Sequence, residues 1–295
     1  MRGARPFGSP VATIKANAPA KVNLTLHVTG QRDDGYHLLD SLVVFADVAD
    51  QISASIAPDL RMTASGPFST GVPTDHTNLI MRAAEALRTV RGVTKGVALT
   101  LEKHLPHSAG IGSGSSDAAA TLAMLAELWQ VAPLPATAPE VVALGADVPV
   151  CVGAPRPVRM SGIGDMLSPV VTLPDCALVL VRPPVDVPTA SVFQGLVSKN
   201  GSPMSELPEG LDYDGFVHWL RAQRNDLQTP AEAIAPEITE AIAKLKSLPA
   251  VSVAGMSGSG AACFALVKDM ATARHVARIV QVAKMDWWVA PAALL

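Results

Sequence analysis

Three glycines alternate in the segment PHSAGIGSGSSDAAATLAML, residues 106–125: Gly110, Gly112 and Gly114. Without Cβ atoms at these positions the backbone can curl and bring its N–H groups close to an anion. Ser115, Ser116 and Asp117 follow, and then an alanine-rich run of helical character. The free N–H groups and positive dipole end of such a helix point back at the loop, and phosphate is the natural occupant. The segment is not a Walker A loop, because no Gly-Lys-Ser/Thr closes it, and it is not a dinucleotide fingerprint in register. The plain alternative is a turn from strand to helix, for which three glycines and their entropic cost are unnecessary.

Other residues of chemical interest stand far from this loop. Lys21 and Asn23 lie two apart in PAKVNLTLHV, residues 19–28, so on a strand their side chains share a face. A second glycine loop, AGMSGSGAACFAL at 254–266, contains Gly258 and Gly260. Tyr36 and His37 follow the Asp33-Asp34-Gly35 turn, and Phe193 follows Pro188-Thr189-Ala190. Asp147 sits in Gly-Ala-Asp-Val-Pro, where a turn or helix-capping role is open to it. Asp117 either caps the following helix, the reading its residue type favours, or faces a nucleotide-bound cation. The seven histidines form no metal constellation; His104 and His107 are three apart with no third ligand.

The elements that must position these residues are readable in outline. Residues 22–28, 42–45 and 97–102 read as strands, and 50–64 as a strand pair. Residues 31–35 read as a polar turn. Helical spacing covers 78–90, with Thr77 or Asn78 as cap, and 116–130, which the prolines of 133–139 end. A short helix ending near Leu144 follows, and the apolar 148–152 is expected to be extended. Strands are expected at 177–182, 252–254 and 262–267, and helices within 230–248 and 271–281. Strands and helices alternate without a regular βαβ period, which favours an α+β fold with mixed or antiparallel sheets. The proline-containing 153–159 marks the expected division, with one domain at 1–155 carrying the phosphate loop and a second at 156–295.

Composition narrows the class. With 295 residues, 49% hydrophobic and 17% charged, the chain has room for two cores and is not disordered. A net charge of −3 and 4% aromatic content argue against a nucleic-acid partner. Cys151, Cys176 and Cys263 are isolated among apolar neighbours, so buried free thiols in a reducing cytoplasm are expected. The first sixteen residues hold Arg2, Arg5 and Lys15 but no apolar run, which reads as a frayed tail rather than a secretory signal. No apolar run reaches the ~18 residues of a membrane span, so no membrane partner is expected.

Taken in order, Pro-Ala-Lys-x-Asn, Pro-x3-Gly-x-Gly-x-Gly-Ser-Ser and Gly-x-Ser-Gly-Ser-Gly resemble the three motifs of the GHMP kinase superfamily, and they span residues 19–266. The segments TGQRDDGYHLLDSL, LGADVPVCV, GIGD, PTASVF and Asn225-Asp226-Leu227 are similar to one branch, whose acceptor is a cytidylyl-bearing methylerythritol of non-mevalonate isoprenoid synthesis. The departures are small: a short, proline-rich stretch before Asp147, and Val150 where bulky aromatics are common.

That resemblance implies a two-domain α+β fold, the first domain like domain 2 of ribosomal protein S5 and the second ferredoxin-like, with the site in the cleft between them. It implies transfer of the γ-phosphoryl of ATP to a 2-hydroxyl. Pro106, Gly110, Gly112, Ser113, Gly114, Ser115 and Ser116 would hold the ATP phosphates. Asp147 would be the base, with Lys21 orienting it and stabilising charge. Asn23, Thr189, Gly258 and Gly260 would contact the acceptor; Tyr36 and Phe193 would sandwich its base, and His37 would bond the base's edge. Mg²⁺ should accompany ATP, with Ser116 as the candidate protein ligand and no carboxylate cage. The partner is then a small molecule, and a homodimer is left open. Two other readings remain. One is a GHMP kinase acting on homoserine or phosphomevalonate, in which Tyr36, His37 and Phe193 have no role. The other is a non-catalytic ligand sensor, which would have lost Lys21, Asp147 or the glycine loop; all three are present.

Overall fold

The computed structural model describes residues 13–107, 109–170 and 172–295. Most of the expected tail, with Arg2 and Arg5, and Ser108 of the glycine segment lie outside the described residues. Lys15 does not belong to a tail: it lies in the first strand, β1 (Thr13–Asn23).

β1 is followed by β2 (His27–Gln31), β3 (His37–Ala57) and β4 (Leu60–Ser65). β3 is one 21-residue strand where two separate strands were expected, because β1 pairs with it from Thr13↔Ser55 to Asn23↔Val43. The ladder shifts register between Pro19 and Ala20, where proline supplies no N–H. Then come α1 (Leu79–Arg91), β5 (Gly96–Glu102), α2 (Ser113–Trp129), α3 (Pro139–Leu144), α4 (Val148–Val152), β6 (Val158–Gly162) and β7 (Met166–Pro169). Asn78 caps α1 as expected, its side chain accepting from the Ile80 N–H at 2.8 Å. The first sheet runs β4-β5-β3-β6-β7, with β1 and β2 also on β3. Within it β4 and β5 are parallel, with α1 as their crossover, and the other pairings are antiparallel. α1 and α2 pack on this sheet through Ile80, Leu87, Leu122 and Leu125.

Two expectations fail here. Residues 148–152 are helical, not extended: Pro149 suits the first turn, and Val148, Pro149, Val150 and Cys151 are all buried. A short apolar run cannot tell strand from buried helix by period alone. The second concerns the expected division at 155/156, because β6 and β7 pair onto β3 and carry the first sheet to Pro169.

The second layer comprises β8 (Ala177–Arg182), α5 (Thr189–Gln194), α6 (Tyr213–Arg221), α7 (Gln228–Ile234), α8 (Pro236–Lys246), β9 (Val253–Met256), β10 (Cys263–Val267), α9 (Met270–Ala283) and β11 (Trp288–Ala293). Its antiparallel sheet has the order β11-β8-β10-β9, the βαββαβ arrangement of a ferredoxin-like fold. β8 is buried along its length and so reads as a continuous apolar run. A third core joins the two layers. It takes Val22, Leu42 and Val44 from the first sheet, Leu178, Leu180 and Phe264 from the second, and Phe216 and Trp219 from α6. The cysteines are free; Cys151 and Cys263 are buried as expected, while Cys176 is only half-buried. Among the described residues no helix is long and apolar enough to cross a membrane.

Because one core is shared by both layers, they should unfold together. Phe216→Ala should destabilise the protein by about 3–5 kcal/mol. In urea titrations, circular dichroism and tryptophan fluorescence should give coincident midpoints for wild type and variant; separated midpoints would show that the layers are independent.

Candidate active site

Lys21 and Asn23 share one face of β1, as their spacing requires. Lys21 is buried, and its Nζ lies 2.8 Å from Asp147 Oδ2. The Asp147 side chain is 40% exposed, so one side of the carboxylate is open. It stands at the start of α4 yet makes no capping hydrogen bond, which removes the capping alternative. The Lys21 N–H donates to the Ile111 carbonyl at 2.9 Å, tying β1 to the glycine loop.

Gly112 begins α2 with φ +58°, and no side chain caps the helix, so the first-turn N–H groups are left for a ligand. A Cβ on Gly112 would lie 3.1 Å from Lys21 Cε. The loop rests on the second glycine loop: Ala262 N–H donates to Ala109 O at 2.8 Å, and Ser257 Oγ donates to Gly110 O at 2.9 Å. Ser257 Oγ also accepts the Asn23 N–H at 3.0 Å. Asn225, of the Asn-Asp-Leu segment, donates to the carbonyls of Met256 and Gly258 at 2.8 and 2.9 Å and holds this second loop in shape.

A cleft of about 940 Å³ opens between the layers. On the donor side it is lined by Gly110, Gly112, Ser113, Gly114 and Ser115, with Lys21 and Asp147 at the junction. On the other side it is lined by Asn23, Tyr36, His37, Thr189, Phe193, Gly258 and Gly260. The His37 and Phe193 rings stack with centroids 4.8 Å apart and planes 28° apart. Tyr36 is 61% exposed at the rim, so it is His37, not Tyr36, that lies against Phe193. Burial, and then the Lys199 charge, lower the His37 pKa, which keeps the ring neutral at pH 7 with one donor and one acceptor nitrogen. Thr189 Oγ1 and Ser259 Oγ share a hydrogen bond of 2.8 Å. Two buried atoms of this wall lack partners, Asn23 Oδ1 and His37 Nε2. Unsatisfied buried polar atoms facing a cleft point to a polar ligand.

Three sequence expectations change. Pro106 is buried and does not line the cleft. Ser116 is buried too, and its hydroxyl donates to Pro19 O at 2.7 Å, so it does not face a metal; Ser113 is buried with its hydroxyl donating to Pro106 O at 3.4 Å, and Ser115 presents the open hydroxyl. Asp117 neither caps α2 nor reaches the cleft, but pairs with Lys103 in the interior. The last two share a cause: α2 starts at Ser113, three residues before the expected start, and Ser116 and Asp117 fall among its buried residues. Missed at the sequence level were Ser257 and Ser259, which stood inside the second glycine motif, and Ile163 and Gly164 of the β6–β7 turn, which line the cleft from the GIGD segment. Ser41, which accepts from Asn23 Nδ2 at 2.8 Å, carried no sequence signal.

Known proteins share this arrangement. A family model described as GHMP kinases N terminal domain matches residues 78–165, and one described as GHMP kinases C terminal matches 209–285. A 4-diphosphocytidyl-2-C-methyl-D-erythritol kinase of Cereibacter sphaeroides is 50% identical over 280 residues, covering 94% of this chain and 98% of the relative. One from Dinoroseobacter shibae is also 50% identical, covering 99% of this chain and 98% of the relative. The chain belongs to the 4-diphosphocytidyl-2-C-methyl-D-erythritol kinase family, within the GHMP kinases. A crystal structure of 4-(cytidine 5'-diphospho)-2C-methyl-D-erythritol kinase matches with a TM-score of 0.77 and 31% identity over 95% of this chain and 99% of the other. Homoserine kinase from Cytophaga hutchinsonii matches with a TM-score of 0.65 at 15% identity, over 99% of this chain and 97% of that one, which shows the shared fold.

The kinase is an ATP-dependent enzyme of small molecules, as its family is. The uncapped start of α2 and the Cβ-free loop fit a polyphosphate. Among the described residues no group of three His, Cys, Asp or Glu side chains could hold a metal by itself.

Gly112→Val would put a branched side chain against Lys21 at a positive φ. Affinity for a non-hydrolysable ATP analogue should fall by about tenfold or more, or about 1.4 kcal/mol, with the fold retained. Calorimetry showing wild-type affinity would reduce the loop to a plain turn.

Proposed function

We propose that this kinase transfers the γ-phosphoryl of ATP to the 2-hydroxyl of 4-diphosphocytidyl-2-C-methyl-D-erythritol, giving the 2-phosphate in non-mevalonate isoprenoid precursor synthesis. The observation that carries this reading is the Lys21–Asp147 pair, 2.8 Å apart, at the junction of the glycine loop and a wall with unpartnered polar atoms. The names of the relatives supply the acceptor.

In this reading the phosphates lie on Gly110, Gly112, Ser113, Gly114 and Ser115, against the N–H groups of α2. Asp147 accepts the proton of the 2-hydroxyl as the new P–O bond forms and the bond to the ADP oxygen breaks. Lys21 orients Asp147 and offsets charge on the transferred group. Mg²⁺ bound with ATP would neutralise phosphate charge, and Ser115 and Asp147 are the side-chain oxygens that would hold it. Asn23 Oδ1 accepts a hydrogen bond from the acceptor near the reacting hydroxyl. Tyr36 at the rim stacks on the cytosine, and His37, held by its stack on Phe193, offers Nε2 to the base's edge, with Thr189, Gly258 and Gly260 closing the wall. The free cysteines suit a cytoplasmic location.

Asp147→Asn should fold and bind both substrates but lose ~10²–10⁴-fold in turnover. Lys21→Ala should also lose most of its turnover, and the double variant should lose little more, since the two groups act as a unit. Near wild-type turnover of Asp147→Asn in a coupled ADP assay would refute the base assignment.

Tyr36→Ala should weaken the cytidylyl acceptor by roughly 10–100-fold, because base–aromatic stacking is worth roughly 1–3 kcal/mol, and leave ATP binding unchanged. His37→Ala should lower discrimination between cytidine and uridine forms. The wild type should prefer the cytidylyl compound over mevalonate, homoserine and methylerythritol 4-phosphate. Turnover of one of those three, with none on the cytidylyl compound, would overturn the acceptor.

A further inference from the structure

A second cluster of charges lies outside the cleft. Asp50 of β3, Lys103 just past β5 and Asp117 of α2 are 0%, 2% and 3% exposed. Lys103 Nζ donates to Asp50 Oδ2 at 2.5 Å and to Asp117 Oδ2 at 2.7 Å. Asp50 Oδ1 accepts the backbone N–H groups of His104 and Leu105 at 2.6 and 2.8 Å.

For a core this is an expensive arrangement. Two carboxylates share one ammonium, and burying each ion costs several kcal/mol. Asp117 Oδ1 is buried with no hydrogen-bond partner. Burial and the Asp50 carboxylate push the Asp117 pKa up to about 7 despite Lys103. Apolar residues of similar size would hold a core at least as well. What the three groups have in common is their place in the chain. Residues 103–105 are the entry to the glycine loop, and Asp117 lies about one turn into the helix that leaves it. The entry is held from a further side, since Lys103 N–H donates to Ser65 O at 2.7 Å, and a Cβ on Gly66 would come within 2.6 Å of Lys103 O. The phosphate-binding backbone is strung between these two anchored ends.

We propose that Asp50, Lys103 and Asp117 form a buried clamp that fixes the distance between the two ends of the phosphate loop and sets its N–H groups for ATP before the nucleotide arrives. The three are positioning residues: none lines the cleft, and each acts on ATP through the loop. The proposal rests on the glycine loop being the ATP site.

The test compares three substitutions at one position by steady-state kinetics. Asp117→Leu, nearly isosteric, and Asp117→Ala both cut the tie from Lys103 to α2 and leave the Lys103–Asp50 pair neutral. Asp117→Asn keeps an amide oxygen that still accepts from Lys103. For Leu and Ala we expect the KM for ATP to rise about tenfold, with kcat and the acceptor KM within about twofold of wild type. The Asn variant should return the ATP KM to within about threefold of wild type. An unchanged ATP KM in a folded Leu or Ala variant overturns the clamp. So does a parallel loss in kcat and both KM values that Asn does not rescue. If neither Leu nor Ala folds while Asn does, the triad holds the core and not the loop, which overturns the clamp as well. The loop reading itself is tested apart, by ATP-analogue binding to the wild type and to Gly112→Val; the acceptor panel bears on neither.

Discussion

Gly110 lies so close to the second glycine loop that a Cβ on it would come within 2.5 Å of the Ser257 carbonyl oxygen and 2.8 Å of that of Gly260. Backbone meets backbone, and only residues without side chains permit it. The same residues adopt positive φ, +72° at Gly110, +56° at Gly258 and +85° at Gly260, which side-chain-bearing residues rarely do. From this contact the rest of the cleft follows. Ser257 can bridge the Asn23 N–H and the Gly110 carbonyl only because the loops touch. The Lys21 strand, the phosphate loop and the wall that carries Gly258 therefore form one hydrogen-bonded unit, drawn from both layers of the molecule.

Two buried lysines show how enclosure decides what an ion pair does. Lys21 faces one carboxylate, Asp147, whose other side is open to the cleft. That pair is open to charge brought into the cleft. Lys103 faces two carboxylates, and all three groups are enclosed. Nothing can enter to use that charge, so its effect is on geometry. The two lysines lie on either side of the glycine segment, one paired at the cleft and the other enclosed.

The far wall of the cleft carries two buried polar atoms without partners. Asn23 spends its Nδ2 group on Ser41, which fixes the side chain and leaves Oδ1 without a partner. His37 is held by stacking on Phe193 and not by a hydrogen bond to its Nε2. Each orphaned atom costs stability unless a ligand supplies the missing group. Specificity of this kind rejects ligands that lack the group more strongly than it attracts those that have it.

The amino-acid sequence by itself determined whatever depends on neighbours a few positions away. The alternating glycines, the i+2 spacing of Lys21 and Asn23, the Asn78 cap and the apolar run of β8 are local, and each was legible. So was the family, because its motifs are strings of adjacent residues. What the sequence could not decide was direction and pairing. The inward turn of Ser116 and Asp117 depends on helix α2 starting at Ser113, and the loop leading into it is tied to β1 by the Lys21 N–H bond to Ile111 O, 90 positions away in the chain. The single long β3, the pairing of β6 and β7 into the first sheet, and the stack of His37 on Phe193 likewise depend on partners far along the chain. Local propensity carries no information about those partners; only the packed structure brings them together, and their contact chooses which way each side chain faces.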